Sequence, residues 1–414
     1  MPPAATTVTT MPTTTARPGE TPVNRPHITV GDDTCTLPGF TNTHIQAAVD
    51  RLAWLGGGIV ELSAGTFHMA DSLHLRTGVR VVGQGDDTVL HKNPMKQARI
   101  TSFLGYGHHD LIVDEPDRFE LGEGVLIGDA KAVGFYQGTG TLVARQGSTW
   151  FIDRPHPHDF RQESDAFVKT LFALVSAVDV TDAGVERLVI DGNPEHNDTM
   201  NGCRGAGFFA HRAHRIAVRE VTVRRFNGEG FGFQSCDQTE LDRCLAEDCS
   251  GNGYHPGSGS TRFHVHHCTA RRCGASGLFY CLAVRHGLLE DCTFEHNAGH
   301  GVSIGERDTD HTNRRLVIRH NGGAGVYLRP GDAATAAHRN TISHCTIEHN
   351  ATGSGQAQVV LQGAAEGVRL IENVIRRGND KPGLLVRADM PAFEHVGNAI
   401  DPGGEAALVD ERRD

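Results

Sequence analysis

Short stretches of alternating apolar and polar residues recur down the second half of the chain, each opening on a glycine and closing in a turn. Aligned on that glycine they begin at Gly207 (GFFAH), Gly230 (GFGFQ), Gly253 (GYHPG), Gly277 (GLFYC), Gly301 (GVSIG) and Gly325 (GVYLR), in steps of 23, 23, 24, 24 and 24 residues. QVVLQ from Gln358 and GLLVR from Gly383 continue the series more loosely. Each unit holds a second alternating stretch, such as IAVREVTV from Ile216, RFHVHHCTA from Arg262 or NRRLVIRHN from Asn313. A period of two sends successive side chains to opposite faces of a strand. No recurrent leucine pattern is present, and Gly-rich turns interrupt every run before a helical repeat could form. Two or three short strands per unit therefore predict an all-β chain built as a right-handed parallel β-helix, a solenoid in which each coil touches only its neighbours. The recurring glycines are expected to serve tight turns with φ > 0.

The first half adds a cap and an interruption. Thr43 to Gln46 reads as a capping box, and Ile45, Ala48, Val49 and Leu52 follow on one helical face. A helix here would cover the first coil and its unpaired strand edges. Residues from about 95 to 175 lose the period, and FELGEGVLIGDAKAVGFYQGTGTLVARQGSTWFIDRP alternates like a set of antiparallel hairpins. The expected layout is a Thr/Pro-rich leader over 1–28, the cap and first coils over 29–95, a β-rich insertion over 96–175, the parallel β-helix over 176–400 and a charged tail over 401–414.

Composition sharpens this layout. Glycine is 50 of 414 residues, aromatics are 6% and hydrophobic residues 38%, which suits a long thin core better than a thick one. No apolar run reaches the ~20 residues of a membrane-spanning helix, and a net charge of −11 argues against a nucleic-acid or anionic-membrane partner. The first 25 residues lack the basic start and apolar run of a signal peptide, so the expected compartment is the cytoplasm. Of the ten cysteines, Cys244, Cys268 and Cys292 stand 24 apart, as do Cys249 and Cys273. One slot filled at one period reads as stacked small hydrophobes rather than as disulfides or metal ligands. The His264–His267 run (HVHH) reads as a solvated face, zinc binding being the minor alternative, and neither metal nor cofactor is expected.

Counting from each glycine, positions +1 and +3 are mostly apolar and should point inward: Phe208/Ala210, Phe231/Phe233, Leu278/Tyr280, Val302/Ile304 and Val326/Leu328. Positions +2 and +4 should then form one outward strip, with Phe209, Phe279 and Tyr327 as exposed aromatics among His211, Gln234, His255 and Arg329. Aromatic faces between hydrogen-bonding groups suit a sugar; the same residues can also lie under the insertion or in an oligomer interface. Beside the strip stand Asp191, Asp198, Glu306, Arg307 and Asp308. His255 is the central titratable group and suits acid–base work.

The run IQAAVDRLAWLGGGIVELSAGTFHMADSLHLRTGVRVVGQG resembles the opening of the pectate-lyase-like superfamily, with residues 40–90 and 175–395 sharing its pattern. That resemblance implies the right-handed parallel β-helix and leaves both a monomer and a homotrimer open. AGHGVSIGE, Ala298 to Glu306, is similar to the GHG-SIG motif of polygalacturonase-type glycoside hydrolases, which would place His300 beside catalytic carboxylates. The aspartates those enzymes carry on preceding coils are missing: CSGNGYHPG and RCGASGLFY stand there instead. No calcium-binding aspartate cluster of the pectate-lyase type stands out either.

Four functions fit these residues. The first is a carbohydrate lyase or epimerase with His255 or Tyr327 as base or acid and Arg329 neutralising a substrate carboxylate. The second is a glycoside hydrolase or transglycosylase pairing carboxylates among Asp191, Asp198, Glu306 and Asp308. The third is an intracellular isomerase or cyclase of a small biosynthetic intermediate. The fourth is a non-catalytic carbohydrate-binding solenoid. In every case the partner is a carbohydrate or another small molecule.

Overall fold

The computed structural model describes residues 26–378, 380–401 and 407–413. Coil after coil adds one strand to an 11-stranded parallel sheet, from Leu73–His74 and Val175–Val178 through Ala206–His211, Glu229–Gln234, Tyr254–Pro256, Leu278–Phe279, Val302–Ile304 and Val326–Leu328 to Leu408–Asp410. Two further parallel ladders join through the long strands Gly184–Asp191 and His214–Arg224 into a 22-stranded sheet. Register keeps like on like: Phe231, Tyr254, Leu278, Val302 and Val326 are successive partners, and the rings of Phe231 and Tyr254 stack at 5.1 Å. The predicted inward residues are all buried.

The repeat glycines have a different cause from the expected one. None of Gly207, Gly230, Gly253, Gly277, Gly301 and Gly325 adopts a left-handed φ. A Cβ on Gly301 would lie 2.2 Å from Ile318 Cγ2 and 2.6 Å from the Gly325 carbonyl oxygen, and one on Gly253 2.4 Å from Ala270 Cβ. These glycines let the 11-stranded sheet approach the opposite wall of a thin core. The left-handed turns fall instead on Arg243, His267, Asp291 and Arg315, with φ of 51 to 55°, where outward side chains can pair with charged neighbours such as Asp291 with Arg315 at 2.7 Å.

Stacked cysteines fill one interior column. Cys244 N–H faces Cys268 Sγ and Cys268 N–H faces Cys292 Sγ, both at 3.4 Å; every cysteine is free. The second column changes chemistry along the axis: Cys249 and Cys273 give way to Asn297, Asn321 and Asn350, each amide oxygen accepting the N–H one coil below at 3.0–3.1 Å.

Helix α1 (Asn42–Trp54) closes the first coil with Ile45, Ala48, Val49 and Leu52 buried. The expected capping box does not form. Thr41 is the N-cap, and Gln46 bonds the backbone of His74 through both amide atoms, at 2.9 and 3.1 Å. A tertiary partner thus replaces the local one. The insertion is a six-stranded antiparallel sheet over residues 97–169 with its own core of Leu111, Ile127, Trp150, Phe160 and Val168. It ends sooner than expected, since Val175–Val178 already belongs to the solenoid. The leader expected over 1–28 lies mostly outside the described residues, yet His27–Gly31 is a strand paired with Gly58–Leu62. The expected charged tail also adds structure: Leu408–Asp410 pairs with Leu384–Val386.

Candidate functional site

The outward column of the 11-stranded sheet runs His74, Ser176, Phe209, Gly232, His255, then Phe279, Ser303 and Tyr327. Its centre is His255. The residue is 4% exposed, neither ring nitrogen has a hydrogen-bond partner among the described residues, and the ring meets that of Phe279 edge to face at 5.6 Å and 76°. Buried polar atoms are rarely left unmet in proteins. Burial, helped by the charge of Arg329, pushes its pKa down to about 4, so the ring is neutral near pH 7.

The acidic partner of His255 is Glu229, whose Oε1 stands 3.6 Å from Nδ1, beyond hydrogen-bond length. Burial raises this carboxyl to about 7 against two donors that favour its ionised form, the N–H and Nδ2 of Asn252 at 2.7 and 3.0 Å. Glu229 escapes a count that starts at each glycine, because it precedes Gly230. The signal is nonetheless periodic: Glu229, Asn252, Ser276 and His300 all stand one residue before a repeat glycine. They form a polar ladder, with Ser276 N–H on Asn252 Oδ1 (2.8 Å), His300 N–H on Ser276 Oγ (3.3 Å) and Ala324 N–H on His300 Nδ1 (2.9 Å). That last bond leaves the proton of neutral His300 on Nε2. Its ring lies parallel to Tyr327 at 4.2 Å, and burial lowers its pKa to about 4.

Arg329 sits over the Phe279 ring at 4.3 Å, but its donors are largely committed. Nη2 bonds the carbonyls of Tyr280 (2.7 Å) and Cys281 (2.9 Å) and Asp308 Oδ2 (3.2 Å), and Nη1 bonds Ser303 Oγ (3.1 Å). The role expected for it, neutralising a substrate carboxylate, conflicts with these bonds; it ties three coils together. Asp308 is fully buried, its carboxyl raised to about 7 by that burial while it accepts Val284 and Gly305 N–H. Both its oxygens are committed to bonds within the fold, so it is not free to meet a ligand on the strip as expected.

The expected row of exposed aromatics is also corrected. Phe209 is 7% exposed and packs with Ala173 and Ala206, while Phe279 and Tyr327 are half-buried. Gln234 is buried and donates to the Gly202 carbonyl at 3.0 Å. Asp191 belongs to the other sheet, paired with Arg224 and Arg225 at 2.9 and 3.2 Å. Asp198 pairs with Lys169 of the insertion at 2.6 Å. Glu306 and Arg307 occupy two successive left-handed residues, and Arg307 lines a separate concavity of about 360 Å³ with Arg285, Asp310 and Arg339.

Toward the amino-terminal end the column enters a cleft of about 220 Å³. Asp71, His74, Ser176, Phe209 and His211 line one side, residues 137–140 with Arg154, Pro155 and Pro157 of the insertion another, and Met200, Cys203 and Arg204 the rim. His74 links Ser176 Oγ (2.8 Å) to Asp71 Oδ2 (3.2 Å). Arg204 is half-buried, and its buried Nε has no hydrogen-bond partner among the described residues. The same rim reaches the central pair, since a Cβ on Gly202 would lie 2.7 Å from Glu229 Oε1.

A family model described as the right handed beta helix region matches residues 276–394. Among solved structures the fold is similar to the A-module of a mannuronan C-5 epimerase from Azotobacter vinelandii, at 16% identity and a TM-score of 0.55 over 89% of this chain and 94% of that one. It is likewise similar to a polygalacturonase from Erwinia carotovora, at 13% identity and a TM-score of 0.54 over 95% and 97% of the two chains. The protein is a right-handed parallel β-helix. No curated protein sequence matches the chain.

Coil spacing in this β-helix divides the predicted residues. Neighbouring strands stand ~4.8 Å apart, so His255 and Tyr327, three coils apart, are separated by roughly 14 Å along the axis and cannot serve one reacting carbon. Glu229 and His255 form one centre, and His300 and Tyr327 a flat platform beyond it. Among the described residues, three metal-ligating side chains converge at one place only, at Asp242, His266 and His267, away from this strip.

Proposed function

We propose that the protein is a carbohydrate-active enzyme that performs acid–base chemistry on the outward face of the 11-stranded sheet, of lyase or epimerase type. The observation that carries this reading is the Glu229–His255 pair. A buried imidazole and a largely buried carboxyl 3.6 Å apart are pushed in opposite directions, leaving a neutral imidazole beside a carboxyl that can still hold a proton near neutrality. Opposed pKa values in one pocket are how acid and base roles are assigned at a single centre.

His255 is the base that takes a proton from a sugar carbon next to a carboxylate, and Glu229 the acid that returns one to the leaving oxygen or to the carbon. Arg204, with its unpartnered Nε, replaces Arg329 as the cation that meets the substrate carboxylate and steadies the developing negative charge. The parallel rings of His300 and Tyr327 seat a further sugar unit. The likeness in fold to a mannuronan epimerase and a polygalacturonase agrees with a sugar substrate.

Incubation with a panel of uronic-acid oligosaccharides tests the reading. Elimination gives the ultraviolet absorbance of an unsaturated uronate, and epimerisation gives deuterium at the inverted carbon in heavy water. His255→Ala should abolish either signal. Absence of both across the panel would remove the proposal, and new reducing ends without absorbance would replace it with hydrolysis.

A further inference from the structure

On the ladder away from the strip, Asp242 and His266 are register partners between strands Asp237–Asp242 and His264–His266. His267 follows in a left-handed turn with φ of 54°, which lets adjacent histidines present Nδ1 to one point. The two Nδ1 atoms are 3.0 Å apart, and Asp242 Oδ1 lies 3.2 Å from His266 Nδ1 and 3.3 Å from His267 Nδ1.

Protons cannot satisfy all three edges of this triangle. The carboxylate only accepts, so an unprotonated Nδ1 sets a lone pair against it. If both Nδ1 atoms carry protons, two donors face each other at 3.0 Å. A cation at the centre satisfies every edge at once. Tetrahedral zinc with ligands at ~2.0–2.1 Å has ligand–ligand edges of roughly 3.3–3.4 Å, close to those found.

The surroundings hold the ligands in this attitude. The other nitrogen of His266 faces Glu240 Oε1 at 3.4 Å, the carboxylate–imidazole arrangement that orients metal-bound histidine. Arg243 takes Asp242 Oδ2 at 2.7 Å, leaving Oδ1 for the triangle. His264 stacks on His266 at 4.0 Å. In the following coils the same two slots hold Glu290 and Asp291, then Arg314 and Arg315, which close on each other as ion pairs.

We infer that Asp242 Oδ1, His266 Nδ1 and His267 Nδ1 form a binding site for a divalent transition metal of the zinc class, its fourth position open to solvent. The sequence made the HVHH run a solvated face with zinc the minor alternative; it did not point to Asp242, 24 residues before His266.

Full-length protein dialysed against a chelator and titrated calorimetrically with zinc sulfate tests the site, with cobalt(II) as a spectroscopic probe. One zinc per chain is expected, with the intense visible bands of tetrahedral cobalt. His267→Ala, at a half-exposed turn, should weaken zinc binding by about tenfold or more and remove those bands, and Glu240→Gln should weaken it by ~10–100-fold. His320→Ala, in a stack of histidines two coils away, should change nothing. Circular dichroism checks that each variant is folded. No zinc binding by the wild type, or equal losses in His320→Ala and His267→Ala, would overturn the inference.

Discussion

Burial pushes the proposed acid–base pair, His255 and Glu229, in opposite directions. Neutral His255 is available as a base above pH 4, and protonated Glu229 as an acid below about 7. The pair predicts a bell-shaped kcat/KM profile bounded by these values. Glu229→Gln should erase the alkaline limb and lower kcat/KM by ~10²–10⁴-fold. The same substitution should stabilise the fold in alkali. Because the folded pKa of Glu229 lies above its ordinary 4.5, its favourable contribution is full below pH 4.5 and is lost as pH rises through about 7. Each pKa unit is worth ~1.4 kcal/mol, so at pH 8 Glu229→Gln should gain up to about 3 kcal/mol in urea unfolding, with no gain at pH 4. The place of His255 in the outward column was legible from strand alternation alone. Glu229 was not, because its burial beneath the loop at Gly202 is a contact that no sequence window contains.

The coil is stabilised through columns whose members are 24 to 29 residues apart. Asn321 Oδ1 accepts the N–H and Nδ2 of Asn297, while its own Nδ2 bonds the Phe294 carbonyl at 3.0 Å. Asn321→Ala strands those buried groups and should cost ~1–3 kcal/mol in urea unfolding. Gly301→Ala should cost a similar ~1–3 kcal/mol by forcing a Cβ into Ile318. The period of these elements was legible from Gly207 to Gly325, where glycine and cysteine recur at steps of 23 or 24 residues. The reason for the glycines was not: a close approach across a thin core depends on coil cross-section, which alternation does not encode. Capping misled for a related reason, as Gln46 found the backbone of His74 rather than its own helix start.

At the scale of the molecule, a solenoid with a capped first coil carries a separately cored sheet on its flank. The two ends of that sheet already meet, with Thr170 N–H on the Lys96 carbonyl at 2.9 Å and Lys96 N–H on Thr170 Oγ1 at 2.8 Å. Replacing residues 97–169 with a short linker should therefore leave a folded solenoid by circular dichroism while removing one wall of the 220 Å³ cleft. The architecture was legible from the repeat, but the cleft between sheet and solenoid was not, because its lining is gathered from segments scattered between Asp71 and Arg212. A net charge of −11 likewise concealed a cleft with Arg154, Arg204 and Arg212 on its rim. The most direct measurement is a crystal structure with a bound uronic-acid oligosaccharide. The account predicts a sugar carbon beside His255 and Glu229, a carboxylate on Arg204 and a further ring over His300 and Tyr327. Sugar seated on either ladder of the 22-stranded sheet, with His255 left bare, would contradict it.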